Sequence, residues 1–289
     1  MYVNDILHHV EQLDPRFKST FLQSGSFYDE VKVGFPDEYD YMAKLELLSK
    51  PGIGRAVETK LGFARVILED EEAIGLWKEF LCKDADDDGK VYENVLMVSE
   101  IREEFSSLIM KATKSVTIPT KWQRDPCPKN HGPCSMLEFL VEEFLEEGLL
   151  YISIDLAPCI TYPSHKSVEF PFYGFLKDGG CASSFLEQCL SKEADVLLVP
   201  FTLDAVQKIS QDSPWHYFYR EQMRVSFSLL EKRIFGQFSR DSVEKRLIRI
   251  LKILRDSHLR DEGVTEEWET PLPEGVFPDY PPGTCMKVI

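Results

Sequence analysis

The chain lacks any long apolar run. Nothing in its 289 residues approaches the ~18 to 20 uncharged residues that a membrane-spanning helix needs, so no membrane span is expected. The opening Met1–Asp5 carries an acid and neither a basic nor an apolar leader, which reads as no secretory signal. Basic charge is scarce: 33 Lys and Arg stand against 49 Asp and Glu, a net charge of −16. A chain this acidic is poorly suited to nonspecific duplex binding, where cations must replace the counterions of the phosphates. Paired cysteines are missing too. The seven (82, 127, 134, 159, 181, 189 and 285) are odd in number and scattered, which favours free thiols in a reducing, cytoplasmic setting. There is no internal repeat and no long low-complexity linker. What remains, 43% apolar and 28% charged residues, is enough to build a sizeable core and excludes a disordered chain.

Along the chain, Val3, Ile6, Leu7, Val10 and Leu13 follow helical spacing until Asp14-Pro15 breaks the run. Phe27 to Val33 and Glu38 to Leu47 have strand character and flank the turn-like Gly34-Phe35-Pro36-Asp37. The spacing predicts helices over 71–82 and 92–114 and a loop over 120–134. It leaves 136–147 ambiguous, with Leu137, Leu140, Val141 and Phe144 suited to a helix face. Leu149 to Leu156 and Val196 to Phe201 read as strands, and Gln222 to Arg260 as helical. The last residues carry five prolines and many acids and read as an irregular tail. The order implies an α+β catalytic core with a helical lobe appended.

The segment with the most chemistry is Gly25-Ser26-Phe27-Tyr28-Asp29 through Asp37-Glu38-Tyr39-Asp40-Tyr41-Met42. In a strand, Glu38 and Asp40 share one face and Tyr39 and Tyr41 the other. In Tyr151-Ile152-Ser153-Ile154-Asp155, Asp155 falls on the face opposite Ile152 and Ile154. If the two strands pair, three carboxylates converge. Two hard cations about 3.5 to 4 Å apart need such an arrangement for in-line phosphoryl chemistry. Ser24-Gly25-Ser26 suits a phosphate clamp, because glycine permits close backbone approach while hydroxyls and N–H groups donate. Spacing alone favours a solvated strand face, since Glu-x-Asp pairs are common and charges mostly lie on the surface.

These residues resemble the nucleotidyltransferase signature of the cyclic GMP-AMP synthase and male-abnormal-21 family. Gly25-Ser26, then Glu38-x-Asp40, then Asp155 carry the likeness. Asp14-Pro15-Arg16-Phe17, Pro36 to Met42, Lys44-Leu45-Glu46, Gly132-Pro133 and Met223-Arg224-Val225-Ser226-Phe227-Ser228-Leu229-Leu230-Glu231-Lys232 resemble further stretches of that family, in order, over about residues 3–260. The resemblance implies a nucleotidyltransferase core, a mixed twisted sheet flanked by helices, over 1–205 with a short N-terminal spine helix. A partial, truncated helical lobe over 206–262 and a Pro/acid-rich tail over 263–289 follow. It makes 136–147 largely strand. It implies Glu38, Asp40 and Asp155 as ligands of Mg²⁺ or Mn²⁺ and as the catalytic set, Asp155 also lying beside the acceptor hydroxyl. Ser24, Gly25 and Ser26 would meet nucleotide phosphates. Arg224, Ser228 and Glu231 would meet the acceptor nucleotide, and Lys252 the donor triphosphate.

The implied activity joins ATP and GTP into a cyclic dinucleotide in innate immune signalling, triggered by double-stranded RNA or another ligand and read by a downstream cyclic-dinucleotide receptor. The zinc ribbon and Ser-Tyr base platform of that family are not recognisable here, which opens a second reading: an inactive nucleotide-binding or regulatory protein. A third makes the acids only a surface face of an interaction protein.

Three weaker motifs stand beside these. Asp84-Ala85-Asp86-Asp87-Asp88-Gly89 imitates a calcium loop but has Val95 where the bidentate Glu belongs, and otherwise reads as an acidic loop between two helices. Cys127, His131 and Cys134 offer three of the four ligands a structural zinc wants, with no nearby fourth, and otherwise read as a proline-rich surface loop with free thiols. Residues 231–260 hold nine Lys and Arg against four acids, with Lys245, Arg249 and Lys252 on one helical side. That side reads as a triphosphate or nucleic-acid contact, or as a solvated face.

Overall fold

The computed structural model describes residues 2–35, 37–59, 63–85, 89–118, 122–124, 129–141, 150–163, 195–201 and 220–261. Helix α1 (Tyr2–Leu13) buries Val3, Ile6, Leu7 and Val10. Its partner α4 (Val98–Ala112) buries Val98, Ile101, Phe105, Leu108, Ile109 and Ala112. Both lie on one face of a twelve-stranded mixed sheet. Phe17 fills the joint, with its ring 5.4 Å from that of Trp77 and 6.3 Å from that of Phe105. Each such aromatic, fully buried, contributes roughly 2–3 kcal/mol.

The strands that matter for the site are β1 (Ser19–Ser24), β2 (Glu38–Leu45), β9 (Cys134–Val141), β10 (Leu150–Pro163), β11 (Asp195–Pro200) and β12 (Met223–Ser226). They run β1-β2-β10-β11-β12 and continue into β4 (Phe63–Leu68), β6 (Val91–Leu96) and β5 (Leu81–Ala85). The β2–β10 pair is parallel, and its neighbours across β1, β9 and β11 are antiparallel. On β2, Tyr41, Ala43 and Leu45 are buried in the α1/α4 core. On β10, Ile152, Ile154, Leu156 and Ile160 do the same. The even residues of β2 and the odd residues of β10 therefore face the other way, as alternation requires.

Several sequence expectations need correction. Phe27 to Val33 is not a strand. Gly25, with φ +79°, turns the chain into a single helical turn, α2 (Gly25–Tyr28), and the strand is the preceding β1. Aromatic content mimics β-propensity there, but the turn decides. The helix expected over 71–82 stops early: α3 (Glu71–Leu76), capped by Asp70 accepting from the Ala73 N–H at 2.8 Å, gives way to a 3-10 turn and then to β5. The helix expected over 92–114 begins as β6. Asn94, at φ 59°, interrupts the helical pattern before α4 starts. The acidic run from Asp84 therefore begins within β5 and precedes β6, rather than lying between two helices, and Glu93 pairs with Lys83 at 2.5 Å across β5 and β6. Its residues 86–88 lie outside the described residues.

Within 120–134, β7 (Trp122–Arg124) and β8 (Lys129–His131) are short strands on β9; Cys127 lies outside the described residues. The first half of the ambiguous 136–147 is strand β9, and 142–149 lie outside. The helical run expected from Gln222 opens instead with β12, and two helices follow: α5 (Ser228–Gly236) and α6 (Val243–Asp261). The expected boundary near 205 and the tail 263–289 fall outside the described residues.

A polar knot ties β4, β5 and the lead-in to β12. The Arg65 guanidinium meets Asp84 at 2.8 Å, and the Cys82 thiol donates to Glu221 at 3.1 Å. Glu221 is 5% exposed, and this burial, with a hydrogen bond to Asp84 second, pushes its carboxyl up to about 7. The native state thus binds a proton that the unfolded chain releases near 4.5. The corresponding stability is full below that value and lost as pH climbs to about 7. Glu221→Gln cannot lose it. The stability of the variant relative to wild type is expected to rise by on the order of 2 kcal/mol between pH 5 and pH 8 in denaturant melts. A pH-independent difference contradicts the assignment.

Candidate active site

Register alone places the acids. Asp40 sits directly beside Asp155 across the parallel β2–β10 pair, and Glu38 beside Ser153. Glu38, Asp40 and Asp155 each present a carboxylate oxygen, all within 4.8 Å of one another. Burial is graded. Asp155 is 6% exposed, Asp40 is half-buried, and Glu38 lies at the rim. At an effective dielectric near 20, charges this close repel by roughly 3 kcal/mol per pair. Such a cluster on the solvent side of a well-packed sheet calls for cationic compensation.

Part of it comes from Lys32, which sequence reasoning missed. Its ammonium donates to Glu38 at 3.0 Å and reaches Asp37 at 3.0 Å. Asp37 is fixed in turn because its carbonyl accepts from the Ser153 N–H at 2.7 Å. Lys32 stands six residues before Glu38 in an irregular stretch, a separation no periodicity highlights.

The Ser24–Ser26 bend closes the site from the β1 side. Ser24 is buried and is the register partner of Asp40. Gly25 is required twice over. Its φ is +79°, and a Cβ there would lie 1.8 Å from Asp40 Oδ2 and 2.9 Å from Asp40 Cβ. The Asp40 carboxylate thus occupies the place of the missing side chain. Ser26 is the second residue of α2, and its carbonyl accepts from the Val31 N–H at 2.9 Å.

A second group lies where α2 meets α5 and α6. Asp29 is buried and its carboxyl is raised by that burial, opposed by Lys232, Lys252 and Lys245. Glu231 is raised by burial and then by Asp29, with Lys252 opposing. Lys232 lies over the Tyr28 ring at 5.9 Å and donates to the Gln23 carbonyl at 3.2 Å. Lys252 and Glu231 therefore lie near each other and near Asp29, which follows α2. Asp29 and Lys232 stand within motifs quoted from the sequence, but neither was given a role there.

Ser228 opens α5, its hydroxyl 3.2 Å from that of Ser226. Arg224 is not brought to the acids. It is exposed on β12, opposite Val199 of β11, two strands across and four residues along from Asp155. Strand spacing puts its Cα roughly 16 Å away, on the same sheet face. Between them, Ala157, Cys159, Leu197 and Val199 form a small apolar floor on which Leu229 of α5 packs. The solvated-face reading is overturned for Lys245, while Arg249 and Lys252 are partly buried. Lys245 is buried against Glu30 at 2.6 Å, and Arg249 donates to the Glu30 carbonyl at 2.9 Å.

The donor set is chemically apt for a divalent ion. Three hard carboxylate oxygens suit Mg²⁺ or Mn²⁺, and glycine at 25 keeps the Asp40 carboxylate in the cluster. A mixed sheet carrying a Gly-Ser bend over two strands with a Glu-x-Asp pair and a third acid on the adjoining strand defines a nucleotidyltransferase core. The sequence profile of the Mab-21 protein nucleotidyltransferase domain matches residues 27–171, half of the chain and the part that holds all three acids. The chain belongs to that family. No curated protein matches it. None of the described helices is long and apolar enough to cross a membrane.

Proposed function

We propose that this chain is a divalent-ion-dependent nucleotidyltransferase that joins ATP and GTP into a cyclic dinucleotide, with Glu38, Asp40 and Asp155 as its metal-binding and catalytic set. The convergence of these three carboxylates within 4.8 Å carries the reading. Bound Mg²⁺ or Mn²⁺ supplies acidification of the acceptor hydroxyl and neutralisation of the pyrophosphate that leaves. The protein's own part is positioning and charge. Ser24 and Ser26 hydroxyls donate to the triphosphate. Gly25, having no side chain, admits both the Asp40 carboxylate and the phosphates. Asp155, the most buried acid, stands beside the acceptor hydroxyl and accepts its proton. Lys252, held near α2 by Asp29 and Glu231, offers charge toward the donor triphosphate, while Arg224, Ser228 and Glu231 address the acceptor nucleotide across the apolar floor.

The reading extends to a cytoplasmic role in innate immune signalling, with double-stranded RNA as trigger and a cyclic-dinucleotide receptor downstream. The exposed Arg233 and Arg240 offer a local basic surface for RNA in an acidic chain. Incubation of purified protein with labelled ATP, GTP and Mn²⁺, with and without double-stranded RNA, tests it. A phosphatase-resistant dinucleotide whose yield rises with the RNA is expected. Nucleotide binding without product in either arm would make the chain a regulatory binder.

Ion binding has its own readout. Binding at one hundred times Kd adds about 2.7 kcal/mol. Millimolar Mn²⁺ is therefore expected to raise the thermal midpoint by about 5 °C or more over EDTA. No shift in any divalent ion counts against the carboxylate centre.

A further inference from the structure

Helix α6 is turned inside out. Its polar side faces the protein: Lys245 is 2% exposed and bound to Glu30, Arg249 donates to the Glu30 and Arg240 carbonyls, and Lys252 acts on Asp29 and Glu231. Its aliphatic side faces out. Val243, Leu247, Ile250, Leu251 and Leu254 recur at i, i+4, i+7, i+8 and i+11, so they form one stripe, and each is between 50% and 68% exposed. A surface helix ordinarily presents the reverse pattern. A contiguous exposed aliphatic stripe on a helix anchored by its cations marks a binding surface.

We infer that residues 262–289 of the same chain cover this stripe. The tail starts where α6 ends, at Asp261. The helix is about 28 Å long, and an extended chain covers that distance with about nine residues, so the 28-residue tail can run back along its whole length. The tail supplies the apolar side chains the stripe lacks, in Val264, Trp268, Leu272, Val276, Phe277 and Tyr280. It also complements the charge. It carries six acids (Glu262, Glu266, Glu267, Glu269, Glu274 and Asp279) against Lys287, while Arg246 and Arg255 are exposed on α6 beside the stripe. Being tethered to the helix end, it acts at high effective concentration. A second copy is the weaker occupant, because five partly exposed aliphatic side chains cannot reach the ~800 Å² per partner of a standard interface.

The test places photo-reactive p-benzoylphenylalanine at Leu254 of the full chain, an exposed position where the change does not disturb the core. Irradiation is expected to yield an intramolecular cross-link in the monomer that maps within 262–289. Arg246→Glu together with Arg255→Glu should lower its yield at least about threefold. A cross-linked dimer, adducts to lipid when phosphatidylserine-containing vesicles are added, attachment to peptides outside 262–289, or a yield no greater than from a probe at the exposed Glu72 would each overturn the inference. The readout requires no turnover, so its failure leaves the carboxylate centre standing, and an inactive enzyme leaves the tail contact standing.

Discussion

Asp155→Asn is expected to lower nucleotidyl transfer by at least about 10³-fold while leaving the protein folded. Asp155 is buried and lies beside Asp40 in register, so its carboxylate is the one that closes the cluster. Losing it removes one of three anionic ligands, and several kcal/mol of transition-state stabilisation go with the ion it helps to hold. Asparagine keeps the shape and one acceptor oxygen, so the β2–β10 register is retained. Stability should move in opposite directions with and without divalent ion. In EDTA the variant is relieved of like-charge repulsion and is expected to melt at or slightly above wild type. In Mn²⁺ it is expected to melt below wild type, because the ion stabilises only the intact set. A structural role for Asp155 would lower the midpoint under both conditions, and a solvated surface role would move neither midpoint nor rate.

Gly25→Ala is expected to damage the site and the fold together. An L-residue at φ +79° is strained by about 1–2 kcal/mol. The added methyl also meets Asp40 Oδ2 at 1.8 Å and Asp40 Cβ at 2.9 Å. Rotating the carboxylate relieves the first clash but not the second, so β1 and β2 must separate or the bend must open. Destabilisation of about 2–4 kcal/mol is expected in denaturant melts. Loss of the Mn²⁺-induced shift is expected as well, since Asp40 can no longer keep its place. Retention of both stability and ion response would show that the bend does not cradle Asp40.

The legible part of this molecule was its chemistry more than its elements. Glu38 and Asp40 could be assigned to one face because β2 alternates cleanly, with Tyr41, Ala43 and Leu45 in the core. Asp155 followed from Ile152 and Ile154 on β10. What periodicity could not give was the pairing that makes the two strands parallel neighbours, because that depends on crossovers and on Ser153 anchoring Asp37. Elements were misread where a single backbone residue overrides pattern. Gly25 converts an aromatic, strand-like segment into a helical turn, and Asn94 at φ 59°, inside β6, breaks the apparent helical run that continues only from α4. Lys32 was invisible because salt bridges from irregular segments leave no spacing. The inward turn of Lys245, Arg249 and Lys252 was hidden because composition says which residues share a helix side, not which side meets the protein. A basic side is outward by default, and here Glu30, Asp29 and Glu231 reverse it.

The most direct test is Mn²⁺ binding followed by electron paramagnetic resonance in the presence of a non-hydrolysable ATP analogue. The expected result is protein-bound Mn²⁺ in wild type whose signal falls to the level of nucleotide alone in Glu38→Gln, Asp40→Asn, Asp155→Asn. Undiminished binding in that triple variant, with its fold intact by circular dichroism, would contradict a divalent-ion centre at these three carboxylates.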